Sequence, residues 1–218
     1  MRFIFYFHIA VLALGLDVIQ IDVGNAIEFT GDFNMPANWF VHPSKHGTAM
    51  ALSLKDQAQK LQLAPIYAEQ VLWIPGRGFE MTIIKALQLA HLRGTRVLSL
   101  SYGGGIPIPS EFLLLKQFAE SDTIIVAAAG NNGGGRIYYP ANYPNPCMIS
   151  VGTLVNGVKA SYSNDADTWI EYVPGDMPGT SASTARMGAV ALAYRFAYPQ
   201  HSCKEIVKII KQNFGGKK

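Results

Sequence analysis

The sequence IIVAAAGNNG occupies residues 124–133 and joins a long apolar run to a polar, glycine-rich end. Six apolar residues in succession, Ile124 to Ala129, are typical of a strand that is buried on both faces, as in a parallel sheet. Glycine and asparagine directly after the run predict a tight turn. Because ligand sites of open α/β sheets lie beyond the carboxyl ends of the strands, Asn131 becomes a candidate functional residue.

Strands and helices alternate on both sides of this stretch. Apolar, β-branched segments predict further strands at Val18–Ile21, Val97–Leu100 and Cys147–Val151. Periodicity and capping residues predict helices over Met81–Leu92, over Glu111–Glu120 with Ser110 as N-cap, and over Cys203–Asn213 with a capping box of Ser202 and Glu205. This alternation predicts an α/β fold with a mostly parallel central sheet that is flanked by helices.

The composition excludes several classes of protein. A length of 218 residues fits one domain, and a hydrophobic fraction of 49% with only 15% charged residues excludes general disorder. The formal net charge of +3 is small and its basic residues are dispersed, so we expect no nucleic-acid partner.

The first residues of the chain have two interpretations. Arg2 followed by the apolar stretch from Phe3 to Ala13 suits a short secretory signal, and the run is too short to span a membrane. The alternative is a first strand or helix of the domain. Residues 1–14 are therefore either a signal or part of the fold, and residues 15–218 are predicted to form a single catalytic domain.

Four short motifs follow predicted strands or open predicted helices. They are Asp22-Val23-Gly24, His46-Gly47-Thr48, Ala129-Gly130-Asn131 and Gly179-Thr180-Ser181. Each alone is better explained as a turn, a cap or a surface residue. Together, in the order Asp, His, Asn, Ser, they resemble the subtilisin-like serine peptidases (subtilases, peptidase family S8). The resemblance extends over roughly residues 15–213 of a compact variant and implies the three-layer subtilisin-like fold.

The resemblance implies a role for each motif. Ser181 is expected to be the nucleophile, His46 its general base, Asp22 the residue that orients His46, and Asn131 an oxyanion-hole donor. The implied activity is that of a serine endopeptidase acting on peptides or proteins. Two alternatives stay open: a subtilase fold that binds peptides or partners without catalysis, and a serine hydrolase of other acyl groups.

Two glycine-containing edges are expected to hold the substrate as an extended strand, by resemblance to the family. One edge is Ser101-Tyr102-Gly103 and the other is Gly76-Arg77-Gly78, with Gly130 beside the oxyanion hole. Glycine allows a peptide backbone to approach closely, and backbone pairing suits an extended ligand. Arg77 would favour acidic side chains near the cleaved bond.

The sequence departs from the family pattern after His46 and after Ser181. Ala49 stands where the family has a second histidine, and Ala185 and Arg186 replace a proline and a histidine. We expect these positions to support helix packing rather than the chemistry.

Cofactor, location and assembly are expectations of the resemblance as well. No cofactor is expected for the chemistry, no metal ligands are assigned, and structural calcium is allowed for, although no calcium-binding loop is recognised. The proteinase K branch of the family implies a disulfide between Cys147 and Cys203, the alternative being two free thiols. A disulfide would place the protein in a secreted or extracytoplasmic location, with the cytoplasm not excluded. We expect a monomer without a membrane span.

Overall fold

A computed structural model of the chain describes residues 18–21, 45–63, 68–70, 80–134 and 138–216. Within these ranges the helices are α1 (Lys45–Lys60), α2 (Glu80–Leu92), α3 (Pro109–Glu120), α4 (Thr180–Ala197) and α5 (Cys203–Phe214). The strands there are β1 (Val18–Ile21), β2 (Ala68–Gln70), β3 (Val97–Leu100), β4 (Ile124–Ala128), β5 (Met148–Val155), β6 (Val158–Lys159) and β7 (Thr168–Glu171).

The strands of the described residues form a mostly parallel sheet, as the sequence predicts. Its order is β2-β1-β3-β4-β5-β6, and β7 also pairs with β5. The pairs from β2 to β5 and the pair β5–β7 are parallel, whereas β6 returns antiparallel to β5. Every residue of β3 and β4 is buried, which explains why both strands are continuously apolar or nearly so.

Helices cover both faces of the sheet and complete three layers. Alternate strand residues face opposite sides, so Val97 and Val126 join one apolar cluster while Leu98 and Ile125 join another. The first cluster includes residues of α1, α4 and α5, and the second includes residues of α2 and α3. The layered α/β architecture expected from the sequence is therefore confirmed.

The predicted start of α3 is wrong. The helix begins at Pro109, one residue before the predicted N-cap Ser110, and the capping position is Ile108, which makes no side-chain cap. Proline suits the first turn of a helix because its fixed φ is helical and its missing N–H would have no partner there. The capping box of Ser202 and Glu205 on α5 is present as predicted.

A disulfide links Cys147, just before β5, to Cys203 at the start of α5. The two Cα atoms are 5.2 Å apart although 56 positions separate the residues in sequence. The bond is compatible with an oxidising compartment and does not establish one. Among the described helices, none combines the length and the apolar character that a membrane span requires. Residues 1–14, with their two interpretations, lie outside the described residues.

Candidate active site

The candidate nucleophile Ser181 lies in the first turn of α4. The turn before it depends on Gly179, whose φ of 134° is a conformation that residues with side chains rarely adopt. Ser181 is half-buried and exchanges two hydrogen bonds with Ser101 at the end of β3. Ser101 Oγ donates to Ser181 O at 3.0 Å, and Ser181 Oγ donates to Ser101 O at 3.3 Å. The hydroxyl is thus held at a helix N-terminus, where unpaired N–H groups and the helix dipole favour negative charge.

The candidate oxyanion donor Asn131 is fixed against the same turn. Its Oδ1 accepts a hydrogen bond from the backbone N–H of Thr180 at 2.9 Å. Since the amide oxygen is engaged, the Nδ2 group is the part of the side chain that can donate to a ligand. A β-carbon on Gly179 would lie 3.2 Å from Nδ2, so the absence of a side chain there leaves the donor room. The structure therefore brings Asn131 to the residue directly preceding Ser181.

Asn164 organises the loop that carries Asn131, and sequence reasoning did not identify it as a functional residue. Its side chain is almost fully buried. Nδ2 donates to Ala129 O at 2.9 Å, while Oδ1 accepts from the N–H groups of Asn132 at 3.0 Å and Gly134 at 3.2 Å. An asparagine in a loop is ordinary in sequence, and only folding shows that its amide binds backbone on both sides of Asn131.

Replacing Asn164 with alanine is expected to destabilise the protein and to slow catalysis. The change removes three hydrogen bonds and leaves backbone groups of the loop that carries Asn131 without their partner, at a cost of about 2–3 kcal/mol in the free energy of unfolding. Because the loop carries Asn131, kcat should fall by at least about tenfold, as for a misplaced oxyanion donor. Denaturant unfolding and steady-state kinetics on a peptide substrate measure the two effects.

Asn145→Ala is the matched control for Asn164→Ala. The Asn145 amide also bridges backbone groups, donating to Leu115 O and accepting from Cys147 N, but it lies away from the candidate site. We expect this variant to lose stability and to keep its kcat. Equal kcat values for the two variants, measured well below their unfolding transitions, would contradict the role given to Asn164.

The candidate base His46 is half-buried in the first turn of α1. This helix packs against α4 through a shared apolar cluster that includes Met50, Leu54 and Ala185. Gly188 allows close packing here, because a β-carbon on it would lie 3.3 Å from Ser99 and 3.6 Å from Leu54. Helices α1 and α4, whose first turns hold His46 and Ser181, are therefore direct neighbours.

The triad acid assigned from the sequence, Asp22, lies outside the described residues. It directly follows Ile21, which pairs with Leu100 in the register of β1 and β3. Leu100 in turn pairs with Ala127 of β4. The strands that precede Asp22, Ser101 and Asn131 thus end at the same edge of the sheet. The role of Asp22 stays a prediction, as does that of the predicted substrate edge Gly76, Arg77 and Gly78, which also lies outside the described residues.

The other predicted substrate edge, Ser101–Gly103, follows β3 directly. The Tyr102 side chain is buried, and its hydroxyl donates to Glu111 Oε1 of α3 at 2.8 Å. Burial first, and then the negative charge of Glu111, raise the pKa of Tyr102 well above its ordinary value. Any contact of this residue with a substrate must therefore come through its backbone, since its side chain belongs to the core.

Arg186, one of the departures from the family pattern, is a buried arginine at the centre of a partly buried ion-pair network. Its Nε and Nη2 contact the two carboxylate oxygens of Asp176 at 2.6 and 2.8 Å, and its Nη1 contacts Asp56 of α1 at 2.6 Å. The Arg186 side chain is 3% exposed. Ser53 of α1 also donates to Asp176. The network ties α1, α4 and the loop before Gly179 together, which supports the predicted packing role.

Replacing Arg186 with methionine should lower the free energy of unfolding by about 3 kcal/mol. Removal of one partner of a buried ion pair leaves the other charge, here mainly Asp176, without compensation. Lys60→Met is the control, because Lys60 is 53% exposed in its pair with Asp56 and such surface pairs contribute less than about 1 kcal/mol. Urea unfolding of both variants measures the loss in the free energy of unfolding. Equal losses in the two variants would show that the ion pairs of Arg186 contribute no more than the surface pair of Lys60.

The same network predicts that the stability of the protein depends on pH. Hydrogen bonds from Lys60 and then from Arg186 hold the pKa of Asp56 below its ordinary 3.8. A carboxyl with a lowered pKa in the folded state stabilises the protein above its unfolded-state pKa and loses that contribution as the pH falls through the folded-state pKa. The difference in stability between wild type and Arg186→Met should therefore narrow below about pH 4.

The described part of the chain contains no group of three or more His, Cys, Asp or Glu side chains that could hold a metal ion. The expectations on calcium and on cofactors are not tested by this finding.

Comparison with known proteins identifies the family. Residues 28–217 match the subtilase family, Peptidase_S8, a match that begins after Asp22. No curated protein matches the sequence significantly. Similar solved structures include the prenylagaramide maturation protease PagA, with 18% identity, a TM-score of 0.64 and coverage of 88% of this chain and 80% of that one.

Two further structures are similar. A protease from Pseudoalteromonas arctica PAMC 21717 has 20% identity and a TM-score of 0.62, with 71% of this chain and 57% of that one covered. The S41 psychrophilic protease has 19% identity and a TM-score of 0.58, with 67% and 59% covered. This chain thus spans less than two thirds of the length of these two proteins. The likenesses support the fold, and because the family match covers most of the sequence, the chain belongs to the subtilase family of serine peptidases.

Proposed function

We propose that this protein is a serine endopeptidase that hydrolyses peptide bonds through an acyl-enzyme. The observation that carries the proposal is the pairing of Ser181, at the N-terminus of α4, with Asn131, whose amide oxygen binds the N–H of the preceding Thr180. A nucleophile and an oxyanion donor are thereby attached to one rigid turn, which is the arrangement that acyl transfer requires.

In the proposed reaction, Ser181 Oγ attacks the carbonyl carbon of the scissile peptide bond while His46 accepts the hydroxyl proton. The tetrahedral intermediate collapses, the C–N bond breaks, and His46 gives the proton to the leaving amine. Water then repeats the sequence on the acyl-enzyme, which releases the carboxylic acid and restores the serine. Asp22 would orient the His46 ring and stabilise its charged form.

The developing oxyanion would receive two hydrogen bonds. One comes from the backbone N–H of Ser181, which in the first turn of α4 has no acceptor within the helix. The other comes from Asn131 Nδ2, which Thr180 keeps in place through the amide oxygen. Donors that are already oriented lose little free energy to reorganisation when the charge forms, so they lower the barrier more than mobile groups would.

A peptide or protein substrate would bind in extended form along Ser101–Gly103, with Gly76–Gly78 as the opposite edge. Buried Tyr102 keeps the first edge fixed through Glu111. We also propose an extracytoplasmic location, which the disulfide between Cys147 and Cys203 supports.

The test is labelling with a fluorophosphonate probe, followed by casein digestion. We expect the probe to label the wild-type protein, mass spectrometry of the labelled peptide to locate the adduct at Ser181, and casein to be cleaved internally. Failure of the wild type to react would favour a fold that binds peptides without catalysis. Labelling at Ser181 without cleavage of any peptide would favour another acyl substrate.

A further inference from the structure

The ring of Tyr138 lies between two glycines that flank the candidate site. A β-carbon on Gly103 would be 2.6 Å from Cε1 of Tyr138, and a β-carbon on Gly130 would be 2.8 Å from its Cγ. Gly103 belongs to the predicted substrate edge after β3, and Gly130 directly precedes Asn131 after β4. The tyrosine therefore fills the space that the missing side chains of the two glycines leave open.

The backbone on the C-terminal side of Tyr138 is held in place. The next residue, Tyr139, forms an antiparallel bridge with Gly104, in which each N–H donates to the other carbonyl at 2.8 Å. The carbonyl of Tyr138 accepts from Asn142 N at 3.0 Å. The ring is thereby anchored beside the substrate edge on a short, hydrogen-bonded segment.

The position of the reacting carbonyl defines where the neighbouring side chain of a substrate must go. The carbonyl carbon has to lie about 3 Å from Ser181 Oγ, with its oxygen turned towards Asn131. The side chain on the acyl side begins one bond from that carbon. Because β3 and β4 are adjacent and parallel, the crevice between the segments that follow them, with Gly103 on one side and Gly130 on the other, is the space next to this point.

We propose that Tyr138 closes this crevice and restricts the residue on the acyl side of the cleaved bond to glycine, alanine or serine. The inference rests on the proposed function, since it presupposes that Ser181 attacks a peptide carbonyl. The ring is half-buried, and it already occupies the space between the two glycines. A small side chain would add little volume beside it, whereas a branched or aromatic side chain would have to displace it. Adding atoms to a space that is already filled forces side chains or backbone to shift, which costs free energy.

The first test compares peptide p-nitroanilides of the form succinyl-Ala-Ala-Pro-X, with alanine, leucine or phenylalanine as X. Each added methylene in a closed pocket changes specificity by roughly 10-fold or more, so we expect kcat/KM for alanine to exceed that for phenylalanine at least about 100-fold. Equal values for alanine and phenylalanine in the wild type would show that the ring moves aside and would overturn the inference.

The second test removes the ring. In Tyr138→Ala, kcat/KM for the phenylalanine peptide should rise at least about tenfold, while that for the alanine peptide changes by less than about threefold. Tyr138→Phe keeps the ring and should keep the wild-type preference. Tyr198→Ala is the control, because Tyr198 is an exposed tyrosine directly after the C-terminal end of α4. An unchanged preference in folded Tyr138→Ala would also overturn the inference.

Fluorophosphonate labelling distinguishes a failure of the role given to Tyr138 from a failure of the proposed function. The probe carries no side chain that must enter the crevice, so its reaction reports Ser181 and not the pocket. Labelling together with indiscriminate cleavage overturns the role of Tyr138 and leaves the proposed function in place. Neither labelling nor cleavage of any peptide overturns the proposed function, and the inference with it.

Discussion

Ser181→Ala is expected to lower kcat/KM for peptide hydrolysis by at least about 10⁴-fold, a scale taken from subtilisin itself, a member of this family. The variant retains the oxyanion donors and the substrate edge but has no atom that can form the acyl-enzyme. The substitution removes the 3.3 Å hydrogen bond from the Ser181 hydroxyl to Ser101 O, so the free energy of unfolding should change by less than about 1 kcal/mol. Steady-state kinetics and urea unfolding measure both quantities.

Two further variants test whether His46 acts together with Ser181. They are His46→Ala and the double variant Ser181→Ala/His46→Ala. Residues that act as one unit in a single step have effects that do not add, so the double variant should be about as slow as the slower single variant. Multiplicative losses, or a His46→Ala variant as active as the wild type, would contradict the assignment of His46 as the base that serves Ser181.

Asn131→Asp is expected to lower kcat by about 10²–10³-fold while KM stays within about threefold, again on the scale of subtilisin itself. The carboxylate can keep the contact with Thr180 N–H that Asn131 Oδ1 makes at 2.9 Å, so the loop should keep its position. It replaces the Nδ2 donor by a negatively charged acceptor, which repels the oxyanion. Because the oxyanion exists only in the transition state and intermediate, the loss should appear in kcat and not in KM.

Asn132→Asp is the matched control for Asn131→Asp. It introduces the same charge one position along, on another exposed asparagine, whose backbone N–H rather than its side chain binds Asn164. We expect its kcat to remain within about threefold of the wild-type value, as for a screened surface charge. Comparable losses of kcat in the two variants would assign the effect to charge alone and contradict the donor role of Asn131.

Much of the fold could be predicted because its signals are local. The strands β1 and β3 have the predicted bounds, and the capping box at Ser202 forms as predicted, since each depends on a few consecutive residues. The error at Ser110 is of the same local kind: two neighbouring residues both suit the start of α3, and the helix begins at Pro109.

The partners of Asn164 and Arg186 could not be predicted, because they lie far away in sequence. Asn164 binds the loop of Asn131 about thirty positions away, and Arg186 on α4 reaches Asp56 on α1 across 130 positions. An asparagine or an arginine in sequence does not indicate which backbone or carboxylate it will meet. Such pairings depend on how the helices pack on the sheet.

The sequence by itself determined the order of strands and helices, the parallel sheet and the motifs that hold His46, Asn131 and Ser181, because hydrophobic periodicity and capping act over short distances. The tertiary structure decided which groups support those motifs and how much space remains beside them. Tyr138 is the clearest case: its ring closes the crevice between Gly103 and Gly130 only because the segments after β3 and β4 lie side by side in the folded sheet.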